Sequence, residues 1–117
     1  SSGWIEYLAD RPRAAAFAPY LEGREEQVVC AIQIYEVFKV MRRDLSEDQA
    51  FAAVSAMHRA HVQPVDAVLA LEAADVALSH RLAMADALVY ATARKHRARL
   101  VTGDSDFDGL DGVILIR

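Results

Sequence analysis

Hydrophobic and polar positions follow two periodicities along the chain. Apolar residues three and four positions apart predict helices over 2–8, 14–21, 33–43, 49–61, 65–80 and 84–97. Short apolar runs predict strands over 27–31, 63–65, 99–102 and 113–116. Pro64 favours an edge position for the second run, because proline cannot donate a ladder hydrogen bond. Strands thus alternate with helices, which predicts an α/β fold with a mainly parallel central sheet flanked by helices in three layers.

The ends of the predicted helices add detail. Ser2 and Ser46 are predicted N-caps, and Gly23 stands where a glycine commonly ends a helix. Three clear strands and one brief strand are few for a sheet of this kind, and the chain opens directly on a helix cap. We therefore expect a strand before Ser1, so that the first strand of the sheet is missing from the given chain.

Length and composition narrow the class of protein. A chain of 117 residues forms one domain, 1–117, and 54% hydrophobic residues supply a core. No apolar run approaches the roughly 20 residues that span a bilayer, so we expect no membrane association. No leader segment is visible at the N-terminus. The single cysteine, Cys30, lies in an apolar run, which predicts a core thiol in a reducing cytoplasm.

The net charge of −4 argues against broad contact with nucleic acid, because proteins that bind many phosphates are usually basic. A nucleic-acid function would require a local site, a metal ion or a basic partner.

Two acids stand in otherwise apolar helical stripes. Glu36 shares a face with Ile32 and Val40, and Asp86 lies in the same relation to Leu82 and Val89. Burying an unpaired carboxylate costs several kcal/mol in practice unless it is paired, protonated or bound to a metal. A structural explanation stays open for each acid. Asp86 would favour a helix N-terminus, and Glu36 would pair with a lysine three positions later.

Further acids follow a predicted strand. The run 99–102 leads directly into Gly103, Asp104 and Asp106. The carboxyl ends of parallel strands are where open α/β sheets bind ligands, and Glu36 also follows a strand end closely. Carboxylates that meet at one edge repel each other unless they hold hard divalent cations. Such sites activate water for displacement at phosphorus.

Four segments resemble a known family, the VapC-type PIN domains. The segment 1–8 resembles the stretch after the first catalytic aspartate of that family. The segments 35–37, 84–93 and 100–107 resemble its second, third and fourth acidic motifs, in the same order. The last two are the more specific, and together the four cover essentially the whole chain.

The resemblance implies a site and an activity. Glu36, Asp86 and Asp104 would be catalytic metal ligands, Asp106 an auxiliary metal ligand, and Ser2 and Thr102 hydrogen-bonding supports. The implied protein is an endoribonuclease toxin that uses Mg²⁺ or Mn²⁺, forms a homodimer and is neutralised by a VapB-like antitoxin. The family's first aspartate would fall immediately before Ser1, and the sequence does not contain it. We therefore expect a chain limited to residues 1–117 to be a poor nuclease.

Other signals compete with this hypothesis. A basic cluster that includes Arg94, Lys95 and Arg97 would either stabilise a helix C-terminus or contact RNA phosphates beside the acid pocket. The segment 104–109 matches half of an EF-hand loop, but the position of its final glutamate is a leucine. His58 and His61 are spaced for one helical face without a second pair of ligands.

The apolar side chains of the first two predicted helices are more numerous than short terminal helices usually bury, and we expect part of this surface to form an interface. They are Trp4, Ile5, Tyr7, Leu8, Phe17 and Tyr20.

The sequence thus favours a cytoplasmic, metal-dependent ribonuclease. Two alternatives remain. One is a PIN nuclease that acts on DNA or in RNA processing outside a toxin pair. The other is a PIN-like module that binds nucleic acid or protein without catalysis.

Overall fold

The strands of the protein form two parallel pairs in a computed structural model that describes residues 2–23 and 26–117. Each strand is three residues long: β1 (Val28–Cys30), β2 (His61–Gln63), β3 (Leu100–Thr102) and β4 (Val113–Leu115). β1 pairs with β2 and β3 pairs with β4, both in parallel. The predicted parallel arrangement is confirmed, with strands shorter than the apolar runs that signalled them.

In the part of the chain that the structure describes, six α-helices surround these strands. They are α1 (Ser2–Leu8), α2 (Ala14–Leu21), α3 (Ala31–Asp44), α4 (Glu47–Met57), α5 (Ala67–His80) and α6 (Met84–Lys95). α3 and α4 connect β1 to β2, α5 and α6 connect β2 to β3, and a 3₁₀ turn at Ser105–Phe107 precedes β4. The predicted α/β alternation is therefore correct throughout the described residues.

Hydrogen bonds at the helix ends explain where the predicted boundaries shift. The Ser46 hydroxyl accepts from the Gln49 backbone N–H at 3.1 Å, which confirms this cap of α4. The Asp66 carboxylate accepts from the Leu69 N–H at 2.9 Å, so α5 begins later than its apolar pattern indicated. Two predictions are wrong. Ser2 is the first residue of α1 rather than its cap, and α2 ends without a left-handed glycine at Gly23.

The largest boundary error concerns β2. Helix α4 ends at Met57, and β2 begins at His61, inside the segment predicted as helix. The strand is set by pairing, since Val29 of β1 lies opposite Val62. Pro64 follows the strand and therefore carries no information about its place in the sheet.

Two apolar cores lie on either side of β1. Val29, fully buried, belongs to the α3–α4 core, which also contains Val37, Met41, Ala50, Ala53 and Met57. Cys30, also fully buried, belongs to the α5–α6 core, whose members include Leu69, Ala73, Leu88, Tyr90, Ala91 and Phe107. Successive residues of a strand point to opposite faces, so β1 lies between two helical layers. This confirms the three-layer arrangement and the buried thiol of Cys30.

A cleft of about 570 Å³ is bordered by both strand pairs. Val28 of β1 lines it on one side, and Leu100 and Val101 of β3 line it on the other. Gly3, Trp4, Val89 and Thr92 contribute further walls. In the described residues the strands form two separate ladders.

The apolar residues of the first two helices pack mainly inward. Trp4, Ile5 and Leu8 lie against the α3–α4 core, and Phe17 is 1% exposed. The more exposed apolar surface lies instead on α5, where Leu71 is 71% and Leu78 is 83% exposed. Tyr20 is 38% exposed, and the expectation that part of the surface of α1 and α2 forms an interface stays a prediction. Among the described helices, none has the length and apolar character needed to cross a membrane.

Candidate metal centre

Three aspartates from two parts of the chain meet beyond the end of β3. Asp86 lies in the first turn of α6, and Asp104 and Asp106 follow β3. One carboxylate oxygen from each of the three lies within 4.8 Å of the other two. Asp86 and Asp104 are half-buried, and Asp106 is exposed. The structure thus brings together residues that are 18 and 2 positions apart in the sequence.

Local hydrogen bonds position the two aspartates after β3. The backbone N–H of Asp104 donates to the hydroxyl of buried Thr102 at 3.1 Å. The Asp104 carboxylate accepts from the Asp106 N–H at 2.9 Å and so caps the 3₁₀ turn. Phe107, 3% exposed, anchors that turn in the α5–α6 core beside Tyr90. Asp104 and Asp106 therefore belong to a short turn that the buried Phe107 side chain fixes to the core.

Asp86 is held by a buried helix. Residues 87–93 of α6 are all buried, and the Tyr90 hydroxyl donates to the Asp111 carbonyl at 2.7 Å. This bond ties α6 to the loop that precedes β4. The backbone of Asp86 therefore has little freedom relative to the strand end that carries Asp104.

The pKa of Asp86 is raised, first by burial and then by the negative charges of Asp104, Asp106 and Glu36. A helix N-terminus stabilises a carboxylate and would lower its pKa. Desolvation and like-charge repulsion act in the opposite direction and favour the protonated form of Asp86.

Glu36 is half-buried on α3, and its charge acts on Asp86. Among the described residues, however, the close carboxylate group consists of the three aspartates. Glu36 therefore influences Asp86 through its charge. The third member of the close group with Asp86 and Asp104 is Asp106 rather than Glu36.

The other residues implied by the resemblance lie in different places. The side chain of Ser2 falls outside the described part of the structure. Arg94 and Lys95 are in the last turn of α6, at least eight residues after Asp86 and so about 12 Å along the helix axis. Lys95 pairs with Glu72 at 3.0 Å, the Arg94 guanidinium lies 5.7 Å from the Tyr90 ring centroid, and Arg97 is exposed. The basic cluster is thus at the opposite end of α6 from the acids.

The histidine pair does not share a helical face. His58 is the C-cap residue that follows α4, and His61 lies in β2, where its ring packs against the His96 ring with centroids 5.1 Å apart. The EF-hand match also fails structurally, since Leu115 is inside β4 and Asp108 pairs with Arg117 at 3.3 Å.

One residue near the acids had no signal in the sequence. Arg13 donates to the carbonyls of Gly103 and Ile116 and pairs with Glu6. It stands between Pro12 and a run of alanines, where nothing distinguishes it from an ordinary surface arginine. Only the folded chain places it beside the peptide that leads into Asp104.

The fold and the grouped aspartates define a class: small α/β domains with parallel strands and an acidic site suited to divalent cations. The family model of the PIN domain matches residues 1–113, and the chain belongs to the PIN-domain family. No curated protein matches the chain at a significant level.

Solved structures share this fold. A toxin–antitoxin complex from Klebsiella pneumoniae is 25% identical with a TM-score of 0.76, and the match covers 94% of this chain and 88% of that one. VapC20 of Mycobacterium tuberculosis, a toxin that cleaves the sarcin-ricin loop, is 20% identical with a TM-score of 0.78. That match covers 99% of this chain and 95% of the other. These similarities support the PIN-domain fold.

Proposed function

We propose that the protein is a metal-dependent endoribonuclease toxin of the VapC type. The observation that carries the proposal is the cluster of Asp86, Asp104 and Asp106 at a strand end of a PIN domain. The two similar structures, one a toxin–antitoxin complex and the other an RNA-cleaving toxin, support the choice of activity.

The donor set fits Mg²⁺ or Mn²⁺. Hard divalent cations prefer carboxylate oxygens, and three of these lie within 4.8 Å of one another. Burial and then the negative charges of neighbouring acids raise the pKa of Asp86, and a bound cation would offset the repulsion among these charges. Asp86, Asp104 and Asp106 would hold the ion, and Glu36 would add negative charge. A bound ion supplies Lewis-acid stabilisation of the charge that develops on a phosphate during hydrolysis.

The remaining residues would prepare the site for RNA. Thr102 holds the backbone N–H of Asp104 and so limits the directions in which that carboxylate can point. Arg94, Lys95 and Arg97 would contact phosphates at a distance from the reacting bond, since they lie at the far end of α6. Their contacts would position RNA without reading its sequence.

Cleavage of single-stranded RNA by the full-length gene product, with Mn²⁺ present, tests the proposal. Asp86→Asn and Asp104→Asn should each remove cleavage, because metal ligands act as a set. Asp108→Asn is the matched control, since Asp108 lies in the same loop and pairs with Arg117 outside the cluster. Equal cleavage by all three variants would exclude this site. Cleavage of DNA alone would support a nuclease outside a toxin pair, and RNA binding without cleavage would support a binding module.

We further propose that the protein acts in the cytoplasm as a homodimer that a VapB-like antitoxin neutralises. The similarity to a chain of a toxin–antitoxin complex supports the antitoxin, and the exposed Leu71 and Leu78 provide apolar surface for protein contacts. Light scattering of the purified protein should give twice the mass of one chain. Induction of the gene should arrest growth, and co-expression of its neighbouring gene should relieve the arrest. A monomer, or an arrest that no neighbouring gene relieves, would contradict this part of the proposal.

A further inference from the structure

Arg13 connects the first two helices to the strand ends beside the acidic cluster. Its Nη1 donates to the carbonyls of Gly103 and Ile116 at 3.4 and 3.3 Å. Its Nη2 donates to the Glu6 carboxylate at 3.1 Å. The two bonds to carbonyls are long for N–H···O bonds, but a charged donor strengthens them. One side chain thus contacts α1 and the residues that follow β3 and β4.

The contact on Gly103 acts on the peptide that leads into Asp104. The Gly103 carbonyl and the Asp104 N–H belong to the same planar peptide unit. Arg13 donates to the carbonyl, and the Thr102 hydroxyl accepts from the N–H at 3.1 Å. Because both ends of one rigid plane are held, the direction in which the Asp104 side chain leaves the backbone is restricted.

Glycine is needed at position 103 for this approach. A Cβ built on Gly103 would lie 2.1 Å from Nη1 of Arg13 and 2.6 Å from its Cζ, closer than any real contact. The φ angle of Gly103 is outside the left-handed region, so alanine would fit the backbone and conflict only with its neighbours. Gly103 therefore leaves room for the guanidinium.

The carboxylate of Glu6 neutralises the charge of Arg13, which would otherwise repel a cation bound nearby. Its side chain is 15% exposed, and it carries the ion pair with Arg13. The positive charge of Arg13 is therefore compensated locally and repels a bound cation less than an unpaired arginine would.

We propose that Arg13 is a positioning residue of the metal centre, which fixes the Gly103–Asp104 peptide and thereby orients the Asp104 carboxylate. This rests on the proposed function, since the purpose of the oriented carboxylate is to hold the ion. Partners of metal ligands typically change metal affinity by about 10- to 100-fold when they are removed.

Arg13→Met in the full-length gene product should weaken Mn²⁺ binding about tenfold or more, measured by electron paramagnetic resonance titration. Arg13→Lys should give an intermediate affinity, because a lysine keeps the charge but lacks the planar guanidinium that donates to Glu6 and to two carbonyls at once. Arg11→Met is the matched control. Arg11 lies two positions earlier and pairs with Asp44 at the surface, so its loss should leave Mn²⁺ affinity unchanged.

A double-mutant cycle separates positioning from general stability. Gly103→Ala should displace the guanidinium and weaken Mn²⁺ binding in the wild-type background. In the Arg13→Met background it should have little further effect, because the contact it disrupts is already gone. Additive effects of the two substitutions, or an Arg13→Met protein that binds Mn²⁺ as Arg11→Met does, would overturn the proposal.

Amide hydrogen exchange in the metal-free protein gives a readout that does not depend on the ion. Exchange of the Asp104 N–H should be faster in Arg13→Met than in Arg11→Met. An unchanged rate would overturn the positioning role. If the wild-type protein binds no Mn²⁺, the proposed function is wrong, and the exchange rate alone decides whether Arg13 holds this peptide.

Discussion

Asp86 is the residue at which burial, repulsion and the helix N-terminus act together. Its pKa is raised in the folded protein, first by burial and then by neighbouring acids. The folded state therefore binds a proton more readily than the unfolded state does. The stability that this proton contributes is present at acidic pH and is lost as the pH rises through the folded pKa.

Asp86→Asn should therefore raise the melting temperature of the metal-free protein at neutral pH. Asparagine removes the charge that burial and repulsion oppose, so the gain should disappear below the pKa of an ordinary aspartate. The same substitution should remove most of the stabilisation that millimolar Mn²⁺ gives the wild-type protein. Differential scanning fluorimetry at several pH values, with and without Mn²⁺, measures both effects. A metal-free variant that melts lower than wild type at pH 7 would contradict the electrostatic explanation.

For individual residues, the sequence predicted the acidic side chains of the site better than it predicted the residues that position them. Asp86 could be predicted because it stands in an apolar helical stripe, and Asp104 and Asp106 because they directly follow a predicted strand. Arg13 could not, because its partners at Gly103 and Ile116 are about 90 and 103 residues away. Contacts across such separations are set by the fold and leave no local pattern.

The helix α4 illustrates how a local signal sets an element. The Ser46 hydroxyl accepts from the Gln49 N–H, and Glu47 and Asp48 lie in the first turn. These features satisfy an unpaired donor and favour the positive end of the helix dipole. They are all encoded within four residues, which is why the beginning of α4 was near its predicted place.

Ser46→Ala should lower the free energy of unfolding by about 1 kcal/mol, because it leaves the Gln49 N–H without its cap. Urea denaturation measures the change. Ser55→Ala is the matched control in the same helix, since Ser55 is exposed and lies within α4 rather than at its start. Equal losses in the two variants would show that the cap contributes nothing.

Strand boundaries were less predictable than helix starts. β2 has three residues, and the bounds of such a short strand are set by its partner rather than by its own periodicity. The partner, β1, is about 30 residues earlier and separated by two helices. The same reason explains why the sequence predicted strands and parallel pairing, but not the division into two pairs with a cleft between them.

The molecule as a whole is built around β1, which contributes to both cores. Val29 belongs to the α3–α4 core and Cys30 to the α5–α6 core, and both are fully buried. If either core unfolded, β1 would lose packing on one side. The other core also contains a residue of β1, so it would be destabilised as well. We expect the two cores to unfold together.

Met57→Ala and Leu69→Ala test this expectation, because the two residues are fully buried in different cores. Each should cost about 2–5 kcal/mol. In both variants calorimetry should show one transition, with equal calorimetric and van't Hoff enthalpies. A second endotherm in either variant would show that the cores unfold independently. Val68→Ala, a change on the exposed face of α5, should leave the transition almost unmoved.

Trp4, the single tryptophan of the chain, is half-buried in the wall of the cleft between the strand pairs. Trp4 also packs against the α3–α4 core, so it contacts the core and borders the cleft. Indole emission depends on the polarity around the ring. A segment or ligand that entered the cleft would displace water from that ring and shift its fluorescence to shorter wavelength. The protein therefore carries an intrinsic optical probe at the place where its two ladders are separated.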